Sequence, residues 1–312
     1  MASSSTHAEN CTDEEGPVVA YKGPISQRQR RFGEELQRLR TAAGLSAPEA
    51  GALVGMKGPA VSHTEAGRIT LNSERLKIWL DAYGCADSTY RAKLAEMGRS
   101  TGKGWWTDFA DRVPTLLLDL AETEHSAARL DNFETFFIPG LLQVPAYIEA
   151  IYKDASQQRE LDVAAEIDFR RQRQHILADL PLRQFRFVIH ETALRMRFPG
   201  DAAMREQLVH LLEISELPNV SIQVLPFTAT QKPPYTSQFV LVDPGSSDLS
   251  TVVVDHPSHT EYLGDQHSIE TYRRTFNQLS ELALPPVDQS LNTLSSRDSW
   301  GLIRHLLYLL QS

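Results

Sequence analysis

The 312-residue chain has little cysteine: only Cys11 and Cys85. Two thiols cannot build a disulfide scaffold, and without a C-x-x-C spacing they offer no zinc site, so a reducing compartment is expected. Long hydrophobic runs are missing as well. No stretch of about 18 apolar residues occurs, which removes the expectation of a membrane helix. The opening "MASSSTHAENCTDEEG" lacks the basic start and apolar centre of a signal peptide, and the chain reads as an unexported cytoplasmic protein. Nucleotide and hydrolase fingerprints are absent: there is no G-x-x-x-x-G-K-[ST], no G-x-S-x-G, and no G-x-G-x-x-G between a strand and a helix. The run "HETAL" at His190 starts like the zinc motif H-E-x-x-H, but Leu194 takes the second ligand position and "FRFVIH" before it reads as strand. In "DHPSHTE", Asp255, His256, His259 and Glu261 are ligand types, yet Pro257 prevents a continuous helix and no distant third ligand stands out. The cluster reads as a polar loop ending a strand. No metal, no cofactor and no catalytic activity are expected.

What the chain does have is 41% hydrophobic residues, enough for buried cores, and a net charge of -9 that is unevenly spread. Residues 26–104 carry thirteen basic and eight acidic side chains, whereas 105–312 carry seventeen basic and twenty-eight acidic. Phosphate binding is therefore permitted for the first block and disfavoured for the second. The Ser-rich, acidic residues 1–25 offer nothing to offset the entropy of ordering and read as a disordered tail.

Residues 26–100 read as short helices separated by glycine. In "RFGEELQRLRTAAG", Phe32, Leu36 and Leu39 recur at helical spacing, and Gly44 stands where a C-cap belongs. Ser46 and Glu49 form the signature of a capping box, with Pro48 tolerated in the first turn of a helix that ends at Gly55. A third helix starts near Lys57 or Gly58, because Pro59 fits only a first turn, where N–H groups have no intrahelical partners. A fourth follows in "SERLKIWLDAYG", with Ser73 as the expected N-cap.

Two short helices joined by a tight glycine turn, the second followed by E-x-G, form a helix-turn-helix, whose second helix lies in the major groove. On Leu45, Ser46, Ala50, Gly55, Val61, Ser62, Glu65 and Gly67 the run resembles the phage-repressor-like, Xre-type family of regulators. Where that family opens its recognition helix with a serine cap and a glutamine, this chain has Lys57, Gly58, Pro59 and Ala60. Gly58 and Ala60 have no polar group with which to read a base edge. The expected DNA-contact set is Lys57, Gly58, Pro59, Ala60, Ser62, His63 and Arg68, with Ser46 at the neighbouring helix start. Lys57, backbone N–H groups and the helix dipole serve phosphates, so positioning outweighs base readout.

The second block, 105–290, predicts an α+β domain. The pair Trp105–Trp106 reads as core or inter-domain packing. An acidic helix is expected from Thr115 to Ala128, an apolar loop from Phe136 to Leu142, and a helix from Pro145. Four strands are expected, at Phe185–His190, Asn219–Phe227, Gln238–Asp243 and Thr251–His256, with helices in "DAAMREQLVHLLEISEL" and "ETYRRTFNQLSELAL". The predicted fold is mainly α with an α+β C-terminal part: an all-α helix-turn-helix domain, then a larger helical domain with a small, mainly antiparallel sheet. Residues 291–312 form a C-terminal amphipathic helix with a stripe of Leu302, Ile303, Leu306, Leu307 and Leu310, which packs on its own domain or on a second subunit.

Pro139-Gly140-Leu141-Leu142-Gln143, then Arg170, Arg173 and Gln174 in "FRRQRQHIL", then Glu191 and Leu194 in "IHETALR", resemble in order the uncharacterised domain that follows Xre-type helices in a bacterial family of regulators. Val144 stands where that family usually has threonine. Members of the family are similar to antitoxins and are often encoded beside a small partner protein thought to modulate their action on DNA. The resemblance implies a regulator and not an enzyme; a double-stranded DNA operator and a homodimer are expected partners, and membrane contact is not expected. Candidate partner- or effector-binding residues are Phe136, Phe137, Leu141, Leu142, Arg170 and Arg173; the three arginines Arg170, Arg171 and Arg173 also fit a solvated or salt-bridged helix face. A second reading is an antitoxin-like interaction module that sequesters its partner, with vestigial DNA contact.

Overall fold

In a computed structural model the described residues are 24–153, 162–179, 183–287 and 298–310. The expected tail at 1–25 therefore falls almost wholly outside them. Five helices open the chain: α1 (Gln27–Ala42), α2 (Ala47–Leu53), α3 (Gly58–Glu65), α4 (Ser73–Ala82) and α5 (Ser88–Gly98). Local chemistry sets their ends. Ser26 and Gln29 form a capping box on α1, and Ser46 and Glu49 form the expected one on α2. Gly44 and Gly55 follow α1 and α2 at φ of 72° and 65°, a left-handed conformation that glycine adopts without strain. The cap of α4 is Asn72, whose side chain accepts from Arg75 N at 2.8 Å, one residue before the expected Ser73.

A 3₁₀ turn at Trp105–Phe109 leads to α6 (Thr115–His125), which stops three residues short of the expected end because Arg129–Glu134 is a strand, β1. Then come α7 (Pro145–Tyr152), α8 (Val163–Gln174), β2 (Gln184–His190), α9 (Glu191–Arg195), α10 (Asp201–Ile214), β3 (Val220–Leu225), β4 (Phe239–Asp243), β5 (Thr251–Asp255), β6 (Thr260–Leu263), α11 (Gln266–Leu282) and α12 (Ser299–Leu309). The six strands form one sheet in the order β3-β2-β1-β4-β5-β6. β1, β2 and β3 run parallel; the β1–β4, β4–β5 and β5–β6 pairings are antiparallel. The sheet has two strands more than the four expected, and three of its five pairings are antiparallel. One of the two, "RLDNFE", lies at its centre.

Both faces of the sheet are covered. Leu130, Phe185, Phe187, Ile222, Val224 and Val242 pack under α7, α10 and α12 with Tyr147, Met204, Leu208, Leu211, Ile303 and Leu306. Phe133, Val188, Leu241, Val252 and Val254 pack on the other face against Phe276 and Leu279 of α11. The C-terminal stripe is therefore covered by its own domain. On the α11 face Asp131, fully buried, accepts two bonds from Arg186, at 2.7 Å and 2.6 Å, and the Arg186 guanidinium lies 4.8 Å from the Phe276 ring. A third cluster holds Trp106, Phe109, Leu117, Ala165 and Phe169, with the half-buried Trp105 against it, so Trp106 is packing while Trp105 is packed on one side only.

The two domains share a core residue. The connection between β4 and β5 makes a 3₁₀ turn, Ser247–Leu249, and its Leu249 is buried among Phe32, Leu36, Val61, Trp79, Tyr90 and Leu94 of the helix-turn-helix unit. Beside it Arg31 of α1, itself buried, donates to the Asp248 carbonyl at 3.2 Å and to Glu35 at 2.7 Å. The α1 N-terminus is fastened in turn by Asp119 of α6, which accepts from Gln27 N at 3.2 Å.

Two outcomes are expected. Leu249→Ala should lower unfolding stability by about 2–5 kcal/mol, the range for a leucine removed from a packed core; denaturant melts showing a loss below about 1 kcal/mol would contradict the shared core. Asp119 is raised from 3.8 to about 6, chiefly by burial and secondarily by Glu122, against the Gln27 bond and Arg30. Its folded form holds a proton that the unfolded form releases, so this group's contribution to stability falls as pH rises from 3.8 to about 6 and is level above. Asp119→Asn should remove that slope, as read from melts at pH 4, 5 and 6.5.

Candidate nucleic-acid interface

The helix-turn-helix is held from beneath by three fixed contacts. Val61 and Ala50 are fully buried where α3 crosses α2, and Trp79 of α4 donates its indole N–H to the Ala50 carbonyl at 2.8 Å. Arg40 of α1 grips Glu65 at the end of α3 with two bonds, Nε to Oε1 at 2.5 Å and Nη2 to Oε2 at 3.0 Å, and gives a third to the Leu45 carbonyl at 2.7 Å. The glutamate of E-x-G is thus an anchor and not a DNA contact. α1 and α3 touch backbone to backbone: a methyl group on Gly33 would fall 2.2 Å from the Glu65 carbonyl oxygen. Deeper in the unit Glu35 accepts from Arg31, Arg38 and the Tyr90 hydroxyl. Burial alone would raise its pKa, but those bonds, with Arg38's first, keep it below the usual carboxylate value.

The opposite side of α3 is open. Lys57, Pro59, Ser62, His63 and Arg68 are exposed, while Gly58 and Ala60 are half-buried. Gly58 sits close against the Pro48 ring, which brings the starts of α2 and α3 together. Lys57 is the N-cap of α3, and because an ammonium cannot accept, no side chain caps the first-turn N–H groups of the helix. Two candidates are partly engaged. The Ser46 hydroxyl is bonded to Glu49 in the capping box, where the same bonds hold the Glu49 carboxyl below its ordinary value, and Ser62 Oγ bonds back to the Gly58 carbonyl at 3.4 Å. Among the eight candidates, Lys57, His63 and Arg68 present the freest polar groups.

The candidate partner or effector residues separate into two groups. Phe136 and Phe137 are exposed at 57% and 47%, and Phe137 meets Phe198 edge to face at 5.7 Å. Leu141 and Leu142 are core, at 2% and 0% exposed, and do not form part of an open surface. The Arg173 guanidinium is buried 2.7 Å from Glu124 of α6, and burial pushes the Glu124 carboxyl up and the Arg173 guanidinium down. Arg170 donates to Tyr152 Oη at 2.8 Å and to Gln143 Oε1 at 3.2 Å, and Gln174 donates to the Gln143 carbonyl at 2.6 Å. A methyl group on Gly140 would lie 2.7 Å from Arg173 Nη2. The runs "PGLLQ" and "RRQRQ" are therefore two halves of one lock between a loop and α8. Glu191 plays a similar part, accepting from Phe227 N at 2.8 Å and from Arg195 Nε at 2.7 Å. The glutamate and arginine of the α6–α8 pair are too far apart in the chain for their sequence spacing to signal the contact. His256 and His259 lie in the turn between β5 and β6, their imidazoles stacked 4.8 Å apart, and Glu261 of β6 stands 3.5 Å from His256 Nε2.

Residues 31–94 match the family model of a helix-turn-helix domain. With the recognition helix anchored on one side and open on the other, the fold defines a DNA-binding protein of the transcription-regulator class. Residues 117–295 match the model described as a domain of unknown function, DUF5753. That match spans more than half of the chain, and the chain belongs to this family. No curated protein and no solved structure matches it. None of the helices among the described residues is long and apolar enough to cross a membrane.

Removing one partner of a buried ion pair leaves an uncompensated charge, typically at about 3–5 kcal/mol. Arg173→Ala should therefore destabilise the C-terminal domain by that order while leaving surface chemistry intact. A melt shifted by less than about 1 kcal/mol would return Arg173 to the candidate ligand set.

Proposed function

We propose that the chain is an Xre-type, sequence-specific transcriptional regulator that acts as a homodimer on a double-stranded operator and is modulated through its C-terminal domain by a small partner protein or a ligand. No catalytic step and no cofactor enter this reading. The observation that carries it is the open face of α3, with Lys57, His63 and Arg68 exposed above a helix that Arg40, Trp79 and Gly33 hold rigidly in place. Lys57 and the α3 N-terminus take phosphates. His63 and Ser62 are the side chains that reach base edges. Because each helix offers few polar readers, two half-sites about one helical turn apart, bound by a two-fold dimer, supply the remaining discrimination.

The second reading, a module that sequesters its partner with DNA contact vestigial, draws support from the exposed phenyl rings of Phe136, Phe137 and Phe198. Those rings lie on the C-terminal domain, away from the α3 face, so both acts can belong to one molecule. Gel shifts against the DNA upstream of its own gene, across a salt series, separate the two. Sequence preference at moderate salt is expected. Lys57→Glu should weaken all duplexes alike and reduce the salt slope by about 0.9 for each phosphate that goes unneutralised. His63→Ala should instead narrow the gap between specific and random duplexes. Absence of preference at every salt concentration would sink the regulator reading.

A further inference from the structure

Between the two domains lies a cleft of about 550 Å³, within the size range of small-ligand sites. Four cations line it: Arg28 of α1, Arg99 and Lys103 beyond α5, and Arg183 ahead of β2. Two carboxylates, Glu96 and Glu122, line it as well, so the cations outnumber them. Glu96 pairs with Lys93 at 3.0 Å, and Glu122 accepts from the Ser100 hydroxyl at 2.6 Å. Arg183 spends one N–H on the His125 carbonyl at 2.6 Å. Arg28, Arg99 and Lys103 have no hydrogen-bond or ion-pair partner among the described residues. Arg28 is the most telling of these. Arg28 is half-buried in the cleft wall; burial lowers its pKa from the usual arginine value, and Glu122 and Glu96 oppose the shift.

The rest of the wall is small and polar, Ser100, Thr101, Gly104 and Ser126, apart from one patch of rings. Trp105 and Trp106 stand at 79° to one another with ring centres 6.0 Å apart, and the His125 ring lies 5.4 Å from Trp106. We propose that this cleft binds a phosphorylated small molecule carrying a planar ring. The guanidinium forks of Arg28 and Arg99 suit phosphate oxygens bidentately, Lys103 adds a mobile third charge, and the Trp105 and His125 faces take the ring. The two domains contribute unequally but jointly. Arg28 and Arg99 come from the helix-turn-helix side, His125 and Arg183 from the C-terminal domain. Occupancy therefore stabilises the docked arrangement of the two domains, by mass action on whichever arrangement forms the site.

Calorimetry and tryptophan fluorescence with the four ribonucleoside 5′-monophosphates test this on the full chain, without DNA, so that the result is independent of whether the chain reads an operator. At least one should bind and quench, with its nucleoside and inorganic phosphate each much weaker. Arg28→Met should weaken binding about 10- to 100-fold, the loss of a charge-assisted contact. Because Arg28 is only half-buried and makes no side-chain hydrogen bond among the described residues, the fold should survive its loss; should it not, the exposed pair Arg99→Gln and Lys103→Gln must weaken binding in the same direction. No binding by any of the four, or binding unchanged in these variants, overturns the proposal. It is overturned equally if only a random-sequence duplex binds and the variants abolish that, which would assign the cations to a DNA backbone.

Discussion

Leu249 belongs by sequence to the connection between β4 and β5 and by packing to the core of the helix-turn-helix unit. With Arg31 bonded to the Asp248 carbonyl alongside it, this contact fixes α1, and α1 in turn carries both Arg40 and Gly33, the two groups that hold α3. The orientation of the recognition helix is therefore mechanically continuous with the C-terminal sheet. A perturbation of the β4–β5 loop reaches α3 through packed side chains, since close-packed cores transmit displacement where fluid ones would absorb it.

The same continuity gives the C-terminal domain a reason to be built so rigidly. Its centre is a mixed sheet in which a buried carboxylate, Asp131, is neutralised by Arg186 across the parallel β1–β2 pair, and its margin is a loop locked to α8 by Arg170, Arg173 and Gln174. Polar residues that look like ligands in the sequence are occupied in holding the scaffold. Among the groups the scaffold leaves uncommitted are the exposed phenyl rings around Phe137 and the cations of the interdomain cleft.

Much of the helix-turn-helix was legible because its signals are short-range. Capping boxes, left-handed glycines, a proline confined to a first turn and leucines at helical spacing all act within four or five residues, and the E-x-G frame of α3 followed from them. Strands rich in valine and phenylalanine, β2 to β5, were legible for a related reason: branched and aromatic side chains fit a pleated, buried surface. β1 was not, since Arg129, Asp131, Asn132 and Glu134 read as surface until Arg186 and the Phe239 carbonyl satisfy them from neighbouring strands. β6, four residues long and only partly buried, carries too little pattern to stand out.

The order of residues along the chain is enough to set where the helices of the DNA-binding unit begin and end and which face of α3 is apolar. It also dictates that the first turn of α3 can offer Lys57 but no polar side chain at Gly58, Pro59 or Ala60. Those are properties of residues close together in the chain. Folding in three dimensions settles the rest: Leu141, Leu142 and Arg173 are internal, the tail helix lies on its own domain, and Arg28, Arg99, Lys103 and Arg183 converge on one cleft where they outnumber the carboxylates. Each of those depends on partners dozens of residues away, whose positions follow from sheet order and domain docking, and no local spacing encodes them.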